Sequence, residues 1–484
     1  MMKKPTAIFD RDWEWGELRR FVTDPRPGIT LGIVSGRRRQ GKSLLLHGLA
    51  EASRGFYHET IDGNETEILR DLGAKLASHL GLPGSLALSS SEDALAALAN
   101  LGTRGRPVLA VLDELPALAR ANPAVPSLIR NLLGPGGRSD SRTRLLLCGS
   151  AVGFMGRLLG GQAPLRGRAG LELVVSAFDF RTAREFWRIR DLRLAVQVFA
   201  IVGGTPAYRR EFIADDTPRG PRDFDAWVAR TVMNPAIPLF REARYLLAED
   251  PEVGDLGLYH SVLAAIASGE TTSARIAGRI GRPATALAHP LHVLADAGYV
   301  TRQGDAFHDN RIHYAIAEPL IAFHHAILRP AWSELERPGR AAEVWRRVGA
   351  TFQANIVGPV FEELCRTWAL RFADPTTFGG TVQAISRGLV PDAEQRVTHE
   401  VDIVVRGEGG RLLAIGEAKW GARVDSRDVA RLQRIVGLLA TRGHDTADTR
   451  IALFAAGGVS PELRARARAD RLILVDLDRL YRGE

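Results

Sequence analysis

The sequence predicts a multidomain α/β protein: a parallel-sheet domain first, then a helical segment and a winged helix-turn-helix, then a second α/β domain that closes the chain. Three observations carry that expectation. A short apolar run, "TLGIVSG" at 30–36, leads through a glycine loop into the helical pattern of "GRRRQGKSLLLHGLAEA". Residues 178–250 keep a helical period, broken by "GGTP" at 203–206, and residues 259–305 have the spacing of three short helices and a strand. Finally, "HEVDIVV" (399–405) and "LLAIGEAKW" (412–420) are strand-like runs joined by the glycine-rich "RGEGGR".

The totals bound the classes. A chain of 484 residues accommodates about three domains of roughly 150 residues each. With 45% hydrophobic and 25% charged residues, the composition is that of a soluble globular protein, which excludes a disordered chain. No apolar run reaches the roughly 18 residues that span a bilayer, and the start "MMKKPTAIFDRDWEWG" has no apolar stretch after its lysines. The expectation is a cytoplasmic protein with no membrane partner. Two cysteines, Cys148 and Cys365, sit in apolar surroundings and form no paired framework, which fits a reducing compartment. A net charge of +8 permits nucleic-acid binding without requiring it.

Lysine is rare here: only five of the 64 Lys and Arg residues are lysines. An ammonium is a compact point charge and a guanidinium a wide planar fork, so Lys42 and Lys419 mark places where the first is needed. Around Lys42 the context is strand, glycine loop, helix. Gly36 and Gly41 let the backbone fold around phosphates, Lys42 reaches the β and γ oxygens, and Ser43 offers its hydroxyl to Mg²⁺. The ligand so implied is ATP with Mg²⁺. In "RPVLAVLDELPALAR" the apolar run 107–112 reads as a buried parallel strand ending in Asp113 and Glu114. Asp113 is expected to hold Mg²⁺ through water, and Glu114 to orient and activate the attacking water. A further buried strand, "RLLLCGS" (144–150), ends in Ser150, either a γ-phosphate sensor or a turn residue.

The stretches "IFDRDWEWGELRRF", "GRRRQGKS", "VLDEL", "LLLCGS", "PLRGR" and "GGTPAY", spread over residues 8 to about 210, resemble the archaeal-type ATPase family, a P-loop group close to the signalling ATPases with helical lids. The resemblance implies a parallel-sheet P-loop ATPase with an extra strand between the phosphate-loop strand and its acidic partner. It also implies that residues 11–18 lie near the base and ribose, and that Arg168, in "PLRGR", acts in cis or in trans near the γ-phosphate. Arg37, Arg38 and Arg39 are expected to anchor the loop to nearby acids. The expected division is 1–177 for the ATPase core, 178–250 for the helical lid, 251–318 for the winged helix-turn-helix, 319–344 for a connector and 345–484 for the C-terminal domain.

In the middle segment Thr271 or Thr272 is the expected cap of the second helix, the third ends at Gly298, and "YVTRQ" reads as a wing strand. Such a module ordinarily makes DNA the partner, through Arg275, Arg279 and Arg282 on phosphates. Against that stands Pro290, which falls in the helix that would enter the groove, where an interior proline costs about 3 kcal/mol. DNA contact and a purely structural joint remain open alternatives.

On the last hairpin Glu417 and Lys419 project from one strand face, the neighbouring strand places Asp402 beside them, and Glu362 approaches from the helical pattern 358–370. Carboxylates that hold Mg²⁺ through Asp402 and Glu417, with Lys419 steadying developing negative charge, are what metal-assisted phosphodiester cleavage needs. This resembles the PD-(D/E)XK nuclease superfamily over residues 345 to about 475, with Gly358, Phe361 and Glu362 as its Gly-x-x-Phe-Glu helix. Asp425 and Asp428 read as solvated helix-start residues. His260, His289, His292, His324 and His325 give no metal spacing in sequence, and no zinc is expected. The function so read is ATP hydrolysis coupled to a DNA-directed winged helix and a Mg²⁺-dependent nuclease-like tail. The alternative is a regulatory switch whose tail binds a partner protein or nucleic acid without cleavage; a homo-oligomer is compatible with either.

Overall fold

A computed structural model describes residues 2–103, 105–134, 140–161, 163–249, 253–467 and 471–483. The expected boundary at 250/251 lies outside the described residues. The chain divides into two compact units, Met1–Ala177 with Thr205–Ala207, and Phe178–Gly204 with Tyr208–Glu484.

In the first unit β1 (Thr30–Ser35), β2 (Phe56–Glu59), β3 (Val108–Asp113), β4 (Thr143–Gly149) and β5 (Ala169–Val174) form a parallel sheet in the order β2-β3-β4-β1-β5. Side chains alternate between the faces of a strand, so Leu31 and Ile33, Ala110 and Leu112 enter one core with Ile68, Leu72 and Leu95. Val34, Leu109 and Val111 enter the opposite core with Trp15, Leu18, Leu45 and Leu49. Both faces are covered, which is why these strands read as continuous apolar runs. β4 lies between β1 and β3, as the family resemblance implies. Because the strands are parallel, the residues that follow β1, β3 and β4 emerge along one edge of the sheet.

The second unit opens with helices Phe180–Phe186, Leu192–Val202, Phe224–Arg230 and Leu239–Ala248. Helices Leu256–Ala267, Ser273–Ile280 and Ala288–Asp296 follow, and then an antiparallel pair, β6 (Val300–Gly304) and β7 (Ile312–Ile316). Thr272 is the cap of the second of these, accepting from the Arg275 N–H. The objection raised by Pro290 falls away: it is the third residue of its helix, in the first turn, where a proline's missing N–H is tolerated. The stretch read as a wing is tied to the C-terminal sheet. Gln303 Nε2 donates to the Ile385 carbonyl at 3.0 Å, and the Ala306 N–H donates to the Arg387 carbonyl at 2.9 Å.

That sheet comprises β8 (Ala384–Asp392), β9 (Val397–Arg406), β10 (Leu412–Lys419), β11 (Arg450–Ala455) and β12 (Ile473–Val475), in the order β12-β11-β10-β9-β8. β8, β9 and β10 are antiparallel; β10, β11 and β12 are parallel. The helix Ser426–Thr441 buries Val429, Leu432, Ile435 and Leu439 against Ile415 and Leu453. The helix Gly358–Arg371 contacts β8, β9 and β10 and buries Phe361, Leu364 and Trp368.

Candidate functional site

In the first unit the chain leaves β1 at Gly36, with φ at 147°, where a β-carbon would lie 2.2 Å from the Val175 carbonyl oxygen. Only glycine permits that approach. Gly41, at φ 83°, is the left-handed residue from which the helix Lys42–Ser53 starts. The loop between them is clamped from behind: buried Arg11 donates to the carbonyls of Gln40 and Ser176. Its guanidinium therefore holds the loop, whereas the resemblance put residues 11–18 near the base. The Pro206 ring lies against Gly41, and the Ala207 N–H donates to the Arg39 carbonyl at 3.4 Å, so "GGTPAY" closes on the loop.

Lys42 is buried, and its Nζ donates to the Arg37 carbonyl at 2.8 Å. Burial pushes its pKa down, while nearby Cys148, Asp113 and Glu114 act in the opposite direction. Asp113, at the end of β3, accepts from the Tyr57 hydroxyl at 2.8 Å and from the Glu114 N–H at 2.9 Å. Burial together with Asp113 raises the Tyr57 phenol pKa far above its ordinary value, with Ser43 acting weakly in the opposite direction. Tyr57 thus stays protonated and holds the Asp113 carboxylate, close to Ser43. Sequence reasoning missed it, because nothing in "GFYHET" says that its strand lies beside β3.

Glu114 occupies the left-handed region at φ 55° and begins the helix Leu115–Ala121. That backbone costs a non-glycine residue on the order of 1 kcal/mol. It aims the carboxylate at Ser150, whose hydroxyl donates to its two oxygens at 3.1 and 3.0 Å, and Arg38 lies 4.0 Å away. Arg168 does not join this group. It precedes Ala169, which pairs with Leu31 at the opposite end of the parallel sheet, roughly 15 Å or more from the loop at 3.3 Å per residue. A cis role at the γ-phosphate is therefore corrected by strand direction; its guanidinium is exposed and contacts the Leu133 carbonyl.

In the second unit Glu362, Asp402 and Glu417 come together from the helix Gly358–Arg371, β9 and β10. Burial, and after it the neighbouring Asp402, pushes Glu362 and Glu417 up to about 7; Asp402 is also raised by burial. Asp402 accepts from the Ala418 N–H at 2.9 Å. The counter-charges are guanidinium groups. Glu417 is paired with Arg431, Glu362 lies 3.7 Å from Arg366, and Arg366 also donates to the Asp402 carbonyl at 2.8 Å. Lys419 is paired with Asp428, which corrects the reading of that aspartate as solvated: it is buried, and its other oxygen accepts from the Asp425 N–H at 3.0 Å. Among the described residues no three His, Cys, Asp or Glu side chains form a group that could hold a metal ion. The expected Mg²⁺ ligands Asp402 and Glu417 act on one another's charge, and Glu417 is engaged by the Arg431 guanidinium.

No family model and no curated protein matches the chain. Solved structures similar to it include the Walker-type ATPase PABY2304 of Pyrococcus abyssi, with 20% identity over 67% of this chain and 98% of that one and a TM-score of 0.49. The ORC2 protein of Aeropyrum pernix in its ADPNP-ADP complexes has 18% identity over 73% and 96%, with a TM-score of 0.40. Cdc6p of Pyrobaculum aerophilum has 16% identity over 69% and 97%, with a TM-score of 0.31. By its own strand order and the glycine loop after its fourth-ranked strand, the first unit is a parallel-sheet α/β P-loop domain. No helix among the described residues is long and apolar enough to cross a membrane.

Proposed function

We propose that the first unit binds ATP with Mg²⁺ and hydrolyses it. The observation that carries this reading is the glycine loop leading to buried Lys42, beside the Tyr57-held Asp113 and the Ser150-held Glu114. Ser43 and Asp113 are hard oxygen donors and suit Mg²⁺, which when bound neutralises charge on the β- and γ-phosphates. Lys42 exchanges the Arg37 carbonyl for a phosphate oxygen, so its ammonium gains a charged partner without a new desolvation cost. The loop N–H groups and the helix Lys42–Ser53 complete the cradle. Glu114 accepts a hydrogen bond from the attacking water and aims it in line with the terminal phosphorus, its carboxylate oriented by Ser150. The test is ATP binding and turnover by the full chain beside Lys42→Ala: binding is expected to be lost in the variant, and unchanged ATP affinity would remove the site.

A second reading concerns the tail and is favoured by the Arg431–Glu417 and Arg366–Glu362 pairs. With those acids in contact with internal guanidinium groups, the tail favours the switch, which binds a partner without cleavage, over the Mg²⁺-dependent nuclease. The middle segment supports a structural joint, since the helix Ala288–Asp296 carries no lysine or arginine and the adjoining strand pair is bonded to β8. Plasmid incubated with Mg²⁺ or Mn²⁺ is expected to stay intact with the parent chain and with Glu417→Ala. Nicking by the parent that disappears in Glu417→Ala would restore the nuclease.

A further inference from the structure

The tail gathers positive charge at the end of its sheet opposite Glu417. β10, β11 and β12 run parallel, so their amino ends stand side by side. Arg411 precedes β10, Arg450 opens β11, and Arg471 stands two residues before β12. Arg479, from the helix Leu477–Arg482, joins them. Two cavities of about 540 and 560 Å³ share Arg450 and Arg471 in their walls, the first including Arg411 and the second Arg479. The two cavities therefore adjoin at Arg450 and Arg471.

The guanidinium heads are held in place by neutral oxygens. Arg450 donates to the carbonyls of Thr376 and Thr377 at 2.9 and 2.8 Å, and Arg411 to the Gly379 carbonyl at 3.1 Å. Gly379, at φ 77°, leaves room for the Arg450 head, which a β-carbon there would approach to 3.1 Å. Arg479 donates to the Leu474 carbonyl at 3.1 Å and to the Thr377 hydroxyl at 3.2 Å; burial lowers its pKa and Asp476 opposes that shift. A guanidinium has five N–H donors, so Arg411, Arg450 and Arg471 keep several for a ligand. Some arginines elsewhere in this chain are matched with acids, as Arg230 is with Asp216 and Asp223, Arg347 with Glu334, and Arg434 with Asp392, while others, such as Arg144 and Arg181, donate to carbonyls. Here, among the described residues, Arg411, Arg450 and Arg471 have no carboxylate in ion-pair contact, and Asp448 is the one acid in the groove walls. Gathered like charges with this little compensation make a positive surface suited to an anionic ligand.

We propose that this groove binds consecutive phosphate groups of a nucleic-acid strand. The planar forks suit phosphate oxygens, and two adjoining cavities each walled by arginines favour a ligand with more than one phosphate over a single one. Among the described residues Phe378 is the one aromatic in the walls, and it is buried, so it offers bases no stacking platform and the contact is with the backbone, independent of sequence. The site is separate from the nucleotide reading of the first unit.

The test is fluorescence anisotropy of a labelled, mixed-sequence single strand with the full chain over a salt series. The parent is expected to bind with a steep salt dependence. Arg471→Glu and Arg411→Glu are each expected to weaken binding about fivefold or more and to reduce the slope of log K against log salt by about 0.7. Among the described residues Arg471 has no side-chain hydrogen-bond partner, so its variant separates binding from folding; Arg471→Lys should keep most of the affinity. Lys42→Ala should bind like the parent, which keeps this outcome distinct from failure of the ATP site. Absence of strand binding by the parent, or full affinity in both groove variants, overturns the proposal. So does loss of binding only in Arg275→Glu, which would move the contact to the helix-turn-helix segment. Equal affinity for inorganic pyrophosphate and for the strand would reassign the groove to a small phosphate ligand.

Discussion

Lys42, Tyr57 and Glu114 each do one job, and each is separable. Lys42 is a buried cation whose partner is a backbone carbonyl, and removing its charge takes away the group that meets phosphate while leaving that carbonyl free to find water. Lys42→Ala is expected to lower ATP affinity about a hundredfold or more with cooperative melting retained, as read by calorimetry of binding and by thermal unfolding. Glu114→Gln keeps the shape and the Ser150 contact but not the negative charge. Nucleotide binding should persist while turnover falls about a hundredfold or more, as phosphate release in a single-turnover assay would show; equal turnover would take the water-orienting role away from Glu114. Tyr57→Phe deletes the proton that Asp113 accepts. It should cost about 1–3 kcal/mol in urea unfolding of the first unit, because a buried carboxylate oxygen loses a donor.

At the scale of elements, local pattern and the neighbourhood it folds into diverge most in the π-helical turn His324–Leu328. Against the helix Leu256–Ala267 this turn brings His324 and His325 to His260, with ring centroids 5.1 to 6.5 Å apart. Histidines with no shared spacing in sequence are thus neighbours in space, although they form no metal-holding group. Burial holds His324 down to about 3 and His325 down to about 2, with Arg244 and Arg329 adding repulsion toward His324 and Arg329 toward His325. An unfolded histidine takes up its proton near pH 6.5. Between that pH and the folded values the unfolded chain binds more protons, so stability is full above about pH 6.5 and falls as the pH drops. Each ring contributes on the order of 1 kcal/mol per pH unit in that range. Urea midpoints measured near neutrality and at mildly acid pH should show the loss. His325→Leu, which removes two buried unbonded nitrogens, should make the dependence shallower; an unchanged slope would exonerate the ring.

Over the whole molecule, what was legible in the sequence is what short-range geometry dictates, and what was not depends on long-range neighbours. Gly36, Gly41, Lys42 and Ser43 could be read because adjacent residues form the loop, and Asp113 because a buried strand delivers it to the same edge. Tyr57 could not, since its value comes from β2 lying next to β3. For Arg168 the resemblance left a role in cis or in trans, and the direction of β5, which puts it at the far end of the sheet, removes the one in cis. The pairing of Glu417 with Arg431 and of Lys419 with Asp428 was hidden because both partners come from the helix Ser426–Thr441, packed across the sheet from a later part of the chain. That pairing sets the last prediction. Arg431→Ala leaves Glu362, Asp402 and Glu417 buried with one counter-charge fewer, a destabilised cluster that a divalent cation can neutralise. In a Lys42→Ala background, which silences nucleotide-linked metal at the first site, the parent tail is expected to show no Mn²⁺ binding and Arg431→Ala to gain one site by titration calorimetry. Mn²⁺ should then raise the Tm of the Arg431→Ala chain alone, since a ligand stabilises only the state that binds it. If the tail with Arg431 intact already binds Mn²⁺, and Glu417→Ala abolishes it, the guanidinium is no substitute for the metal and the tail returns to the nuclease reading.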